Sequence, residues 1–176
     1  TGSANGCSDS YYIGGLVGSS HGSMSNCSST GMVSGSSSVG GLTGVVNGSS
    51  ISDCYSTGMV SGSLEVGGLV GYNMFGNISN CYSTGSVGNS GAGGLVGFNV
   101  GRVICCYSTG VVSGTTHTGG LVGYNYTGSV IRSFWDTQTS GRTTSAGGTG
   151  KTTAQMMTLS TFTSVGWDFV GETANG

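Results

Sequence analysis

A Gly-Gly-Leu segment starts at Gly14, Gly40, Gly67, Gly93 and Gly119, in steps of 26, 27, 26 and 26 residues. Each continues as Val-Gly, except that Thr43 takes the Val place in the second copy. A second block runs in register with the first. It reads Cys27-Ser28-Ser29-Thr30-Gly31, then Cys-Tyr-Ser-Thr-Gly from Cys54, Cys81 and Cys106, then a degraded Ser133-Phe134-Trp135-Asp136. A period of this size is the signature of a repeat architecture, in which each unit buries its apolar face only against its neighbours. Helical repeats are excluded, because Val, Thr, Tyr, Ser and Gly dominate and no i, i+3, i+4, i+7 apolar stripe appears. A propeller blade needs about 40 residues, more than one period supplies. One turn of a β-helix fits, with three short strands expected near 66–72, 78–83 and 86–87. Coils stacked about 4.8 Å apart would make a rod about 25 Å long.

Stacking turns each repeated position into a column. Leu16, Leu42, Leu69, Leu95 and Leu121 never vary and are expected in the core. Val17, Thr43, Val70, Val96 and Val122 form a weaker core candidate because of the Thr. Two further apolar columns are Met24, Ile51, Ile78, Val103, Val130 and Val33, Val60, Val87, Val112. With about one apolar residue per side, the core should be thin. Ile78 and Cys81 are three apart, so a straight strand would point them to opposite faces. A bend is therefore expected at Asn26, Asp53, Asn80, Cys105 and Arg132, a column rich in residues that tolerate the left-handed region.

Composition narrows the function. Charged residues are 6% of the chain, against about 25% in ordinary soluble domains. The net charge is −2 and the four basic residues are scattered, which argues against a nucleic-acid partner. No apolar run is long enough to span a membrane. The 38 Gly come without Pro and on a fixed period, which points to close backbone approach rather than disorder. No signal peptide is visible and Thr1 leads almost directly into a repeat, as expected of a mature, trimmed or excised chain.

The Gly-Gly-Leu-Val-Gly and Cys-Tyr-Ser-Thr-Gly blocks resemble the GLUG repeat, over roughly residues 7–135. That repeat is known from secreted bacterial proteins, including surface adhesins and the non-catalytic part of some immunoglobulin-A-cleaving peptidases. The resemblance implies an extracellular scaffold and no particular ligand. The first copy departs from it, since Cys7 lies only seven residues before Gly14.

Five cysteines, Cys7, Cys27, Cys54, Cys81 and Cys106, share one repeat position, and Cys105 is extra. Column neighbours would fall within disulfide range, and a ladder of packed thiols is the equal alternative. A single column is a line of sulfurs, unsuited to tetrahedral zinc. Tyr55, Tyr82 and Tyr107, continued by Phe134, form a column that either faces a ligand such as a sugar or only stabilises the stack. Asn47, Asn73, Asn99 and Asn125 suggest turn caps or an amide ladder. Thr30, Thr57, Thr84 and Thr109 make one Thr rank, where an ice-binding face wants two. The stretch Ser145-Ala146-Gly147-Gly148-Thr149-Gly150-Lys151-Thr152 ends like a P-loop, but has Ser where Gly belongs and reads as a Gly/Thr loop. His21 and His117 are isolated, and the six acidic residues show no recurring pair, so no acid–base team or metal motif assembles.

The chain is thus read as all-β, a β-solenoid (parallel β-helix) of about five to six coils of 26–27 residues, with an irregular C-terminal cap. Residues 1–132 form the solenoid; 133–176 form a degraded last coil and a capping tail whose large aromatics plug the final coil. The expected role is a non-enzymatic structural or adhesion module, secreted or at the cell surface, without cofactors. Its partners would be surface glycans or further copies of itself. The alternatives are a filament subunit stacking end to end and a carbohydrate- or ice-binding solenoid.

Overall fold

The computed structural model describes residues 2–6 and 10–169, and within them the chain winds into a stack of parallel strands. A complete coil contributes not three but five short strands, because two of the expected strands are interrupted. The Gly-Gly-Leu segment breaks 66–72, and Asn80 breaks 78–83. Five parallel sheets result. Sheet A holds Ala4–Asn5, Val33–Ser34, Val60–Ser61 and Val87–Gly88. Sheet B holds Tyr11–Gly14, Ser37–Gly40, Leu64–Gly67 and Ala92–Gly93. Sheet C holds Val17–Ser20, Thr43–Asn47, Val70–Met74, Val96–Asn99 and Val122–Asn125. Sheet D holds Met24–Ser25, Ser50–Ser52, Asn77–Ser79, Arg102–Ile104 and Ser129–Ile131. Sheet E runs from Ser28–Ser29 through Tyr55–Ser56, Tyr82–Ser83 and Tyr107–Ser108 to Phe134–Asp136 and Thr149–Lys151.

The interior is not one thin core but two lobes. The larger contains Leu42, Leu69, Leu95 and Leu121, the Ile51, Ile78 and Val103 column, Val70, Val96 and Val122, and Cys54, Cys81 and Cys106. The smaller is built from Val33, Val60, Val87 and Val112 facing Val39, Val66 and Ala92. Glycine makes the division. At the Gly-Gly-Leu segment the chain reverses, and sheet C doubles back against sheet B. A Cβ placed on Gly71 would stand 2.4 Å from the Ser38 carbonyl carbon and 2.6 Å from the Val39 nitrogen. Gly44 meets Tyr12 and Ile13 in the same way, and Gly97 meets Glu65 and Val66. Sheets with side chains between them pack about 10 Å apart, so only glycine permits this contact. The second Gly of each pair makes room for a side chain across the larger lobe: a Cβ on Gly68 would lie 2.3 Å from Ser83 Oγ. This accounts for the co-occurrence of Gly-Gly-Leu with Ser in the Cys-Tyr-Ser block.

Two columns take the left-handed backbone. The expected bend is present at all five positions, with φ of 54° at Asn26 and Asp53, 53° at Asn80 and 50° at Cys105 and Arg132. A second column was not foreseen. Tyr12, Ser38 and Glu65 have φ of 51–59° inside sheet B, and Gly91 and His117 stand in line with φ of 67° and 50°. The ladder skips them, pairing Tyr11 with Ser37 and Ile13 with Val39.

The apolar columns stand in the expected registers. Leu16 is the exception within its column, 53% exposed where the other four are buried. Thr43 is fully buried despite its hydroxyl, which donates to the Val45 carbonyl at 3.3 Å. One column needs correcting. Asn73 pairs with Val46, and Asn47 pairs with Met74. The 27-residue step had shifted Asn47 out of line.

The tail closes the far end differently for the two lobes. Trp135 alone enters the larger lobe, lying against Gly120 with its Nε1–H donated to the Arg142 carbonyl at 3.0 Å. Over the smaller lobe, Val112 N–H donates to the Ser140 carbonyl, and the Arg142 guanidinium donates to the Val112 and Gly114 carbonyls at 2.8 and 2.9 Å. Ser145 Oγ accepts from Leu121 and Val122, and Ala146 N–H donates to Val122. Residues 140–146 thus occupy the edges that a further coil would use. Phe162, Trp167 and Phe169 do not plug the end; they gather outside, around Phe134. Two short helices, α1 (Thr153–Met156) and α2 (Leu159–Thr163), carry the chain there. No helix among the described residues is long and apolar enough to cross a membrane.

Candidate functional site

The thiol column sits just after the left-handed corner, where a turned backbone leaves one N–H without a ladder partner. Sulfur accepts that N–H and donates to a corner carbonyl that also accepts an N–H from the neighbouring coil. Cys54 Sγ donates to the Ser52 carbonyl at 3.0 Å and accepts the Cys27 N–H at 3.3 Å. Cys81 repeats this with Ser79 and the Cys54 N–H. In the last coil a hydroxyl takes the place: Ser133 Oγ donates to Ile131 and accepts the Cys106 N–H. Cys27, Cys54, Cys81, Cys105 and Cys106 are all free; Cys7 lies outside the described residues. The Cys81 thiol beside it, and then burial, hold the Cys54 thiol far above its ordinary range. The Cys106 thiol and burial do the same for Cys81. Burial also raises Cys105, partly offset by Arg132. A thiol kept protonated is a weak nucleophile and a weak metal ligand, so this column is a hydrogen-bonding strut. Among the described residues no three His, Cys, Asp or Glu side chains come together in a way that could hold a metal ion.

The Tyr column lies on the outer side of sheet E. Tyr55 and Tyr82 stack at 4.9 Å and 4°, Tyr82 and Tyr107 at 5.1 Å and 6°. Burial raises the phenol pKa of Tyr82 and Tyr107, with smaller contributions from the neighbouring rings. Phe134 continues the column in register, and Lys151 Nζ lies 5.5 Å from its ring centre. The tail leans against this ladder and creates a groove of about 430 Å³, lined by Tyr82, Tyr107, Asp53, Asn80, Trp167 and Asp168 among others. Two acidic residues far apart in the chain, Asp53 and Asp168, therefore share one groove, which the repeat pattern alone did not indicate.

A second aromatic column, missed in the sequence, stands on sheet C. Tyr72 packs edge-on to Phe98 at 5.1 Å, Phe98 tilts against Tyr124 at 5.1 Å, and His117 meets Tyr124 edge-on at 4.9 Å. Its signal was available, since Tyr72, Phe98 and Tyr124 each directly follow the last Gly of a Gly-Gly-Leu-Val-Gly block. A cavity of about 380 Å³ opens beside Phe98, where Gly91 leaves the left-handed column without a side chain between Glu65 and His117.

Other candidates prove structural. Asn73, Asn99 and Asn125 form an amide ladder, with Nδ2 to Oδ1 distances of 2.8 and 2.9 Å. They also cap turns: Gly76 N–H donates to Asn73 Oδ1, and Asn125 Nδ2 donates to the Gly128 carbonyl. Asn47, displaced from that ladder, meets His21 at 3.2 Å instead. The P-loop-like stretch is a loop only over 145–148; Thr149–Lys151 is the last strand of sheet E, and Thr152 caps α1. Thr30, Thr57 and Thr84 are exposed in a single rank beside the Tyr column.

The GLUG motif matches residues 9–34 and 62–87, two stretches whose starts are two coils apart. The coil between them carries the same columns through Leu42 and Cys54. No curated protein and no solved structure matches the chain.

Proposed function

We propose that this chain, which carries GLUG repeats wound into a β-solenoid, is a non-enzymatic structural module of a secreted or cell-surface protein, of the adhesin or stalk kind. The supporting observation is where the repeated residues go. Leu, Val, Ile, Cys, Ser and Gly of each coil are spent on contacts with the coils above and below. None of these columns converges on a cleft, as an active site requires. The Tyr column and the tail lie outside these contacts, which suits a rod that holds surface features at a set distance. Head-to-tail growth into a filament is the weaker reading, because Trp135 and residues 140–146 occupy the C-terminal edges.

The test is to change the coil number. Deleting residues 71–96 removes one 26-residue coil and joins Val70 to Gly97, so that register is kept. Fluorescence energy transfer between labels at the two ends should report a shortening of about 5 Å. The shortened chain should remain folded with a cooperative melt. Collapse of the fold on loss of one coil would contradict a modular rod.

A further inference from the structure

The groove beside the tail has a composition that stacking does not require. Its base is the edges of Tyr82 and Tyr107, and Tyr55 continues the same ladder beyond it. Its far wall is Trp167 and Phe169, 6.0 Å apart and 22° from parallel. Trp167 is held in place, because its Nε1–H donates to the Arg132 carbonyl at 2.8 Å and its ring packs on Phe134 and Phe162. The polar rim is Asp53, Asn80 and Asp168, all exposed, with Asn80 Nδ2 donating to Asp53 Oδ1 at 3.2 Å. No Lys or Arg side chain is among its lining residues, and the nearby Arg132 guanidinium packs behind two of them, Gly166 and Cys105.

We propose that this groove binds a neutral or amino-substituted glycan. A sugar presents C–H groups that pack on aromatic side chains and hydroxyls that need acceptors. Two carboxylates and an amide supply strong acceptors and one further donor. The same carboxylates repel sulfated or carboxylated sugars, which sets the specificity. The volume of about 430 Å³ falls within the range of ligand clefts, about 300–1,000 Å³. Tyr55 offers a track for a chain longer than one ring. The site deepens the adhesion reading and rests on it only for its setting on a surface rod.

The experiment titrates the whole chain with hexamers of glucose and of N-acetylglucosamine, in α- and β-linked forms, and with a sulfated hexasaccharide, following tryptophan emission. Saturable binding of a neutral hexamer with a change in Trp167 emission is expected, with no binding of the sulfated one. Asp168→Lys and Asp53→Lys should each weaken binding about tenfold or more, the loss of roughly one charge-assisted hydrogen bond. Asp168 is exposed and outside the corner column, so Asp168→Lys should leave the melting temperature unmoved, whereas Asp53→Lys, at a left-handed corner, should lower it slightly; Thr115→Lys, exposed and remote from the groove, should change neither binding nor melting. No saturable binding of any neutral hexamer in the millimolar range would overturn the proposal. So would binding that neither substitution weakens, or a preference for the sulfated sugar. A folded rod that binds no sugar would remove the groove and leave the structural module standing.

Discussion

The two lobes of each coil are packed by different rules. The larger lobe mixes Leu, Ile, Val and Cys, includes a polar strut of thiols, and ends on an indole. The smaller lobe is almost entirely Val, has no polar strut, and ends on a guanidinium that binds backbone carbonyls. Between them runs a seam where sheets B and C meet through glycine alone. A chain with so few large side chains gains stability by holding many backbones close. Glycine is what sets that distance.

The seam should be the least tolerant region. Gly71→Ala places a methyl against the Ser38 and Val39 backbone, which cannot yield without moving a sheet. A loss above about 4 kcal/mol is expected, enough to abolish a cooperative urea transition. Gly22→Ala, with nothing within 4 Å, should melt like the parent.

Within the lobes the contrast is smaller. Leu69→Ala should cost about 4 kcal/mol and Val60→Ala about 2 kcal/mol by chemical denaturation, because the Leu leaves the larger cavity. Equal costs would show that the smaller lobe is packed as tightly as the larger.

The thiol strut distinguishes the lobes chemically. Cys81→Ser should cost less than about 1 kcal/mol, since Ser133 already fills that role with a hydroxyl, whereas Cys81→Val should cost about 1–3 kcal/mol by orphaning the buried Cys54 N–H. The same column predicts a pH dependence. Folding raises the Cys54 and Cys81 pKa, so the folded chain keeps protons that the unfolded chain releases. Stability should be level below the unfolded thiol range, about 8.5, and fall as pH rises above it. Urea midpoints at neutral and alkaline pH measure this, and Cys54→Ser with Cys81→Ser should flatten the decline.

The smallest expected change is a gain. Cys105 occupies a left-handed corner that Asn and Asp fill in earlier coils. Cys105→Asn should stabilise by about 0.5–1 kcal/mol, read as a higher melting temperature.

Much of this architecture is legible in the sequence because stacking puts like on like. The Leu, Ile and Val columns, the corner bend and the parallel coils follow from period and parity. The seam does not, because Gly18, Gly44 and Gly71 carry no side chain to mark which face they present. Nor does the left-handed column, whose members Tyr12, Ser38, Glu65 and His117 share no chemistry. Asn47 misled through a single extra residue in its coil. The groove was hidden for another reason: Asp53 lies on a repeat and Asp168 on the tail, and only the fold brings them together.

The seam can be observed directly. In a nuclear Overhauser spectrum of the isotope-labelled chain, the Gly71 α-protons should show strong cross-peaks to the Val39 amide proton, matched by Gly44 to Ile13 and Gly97 to Val66. Absence of these peaks, with the ladder contacts between Val39 and Val66 still present, would mean that side chains or water separate the two sheets and would contradict the two-lobed coil.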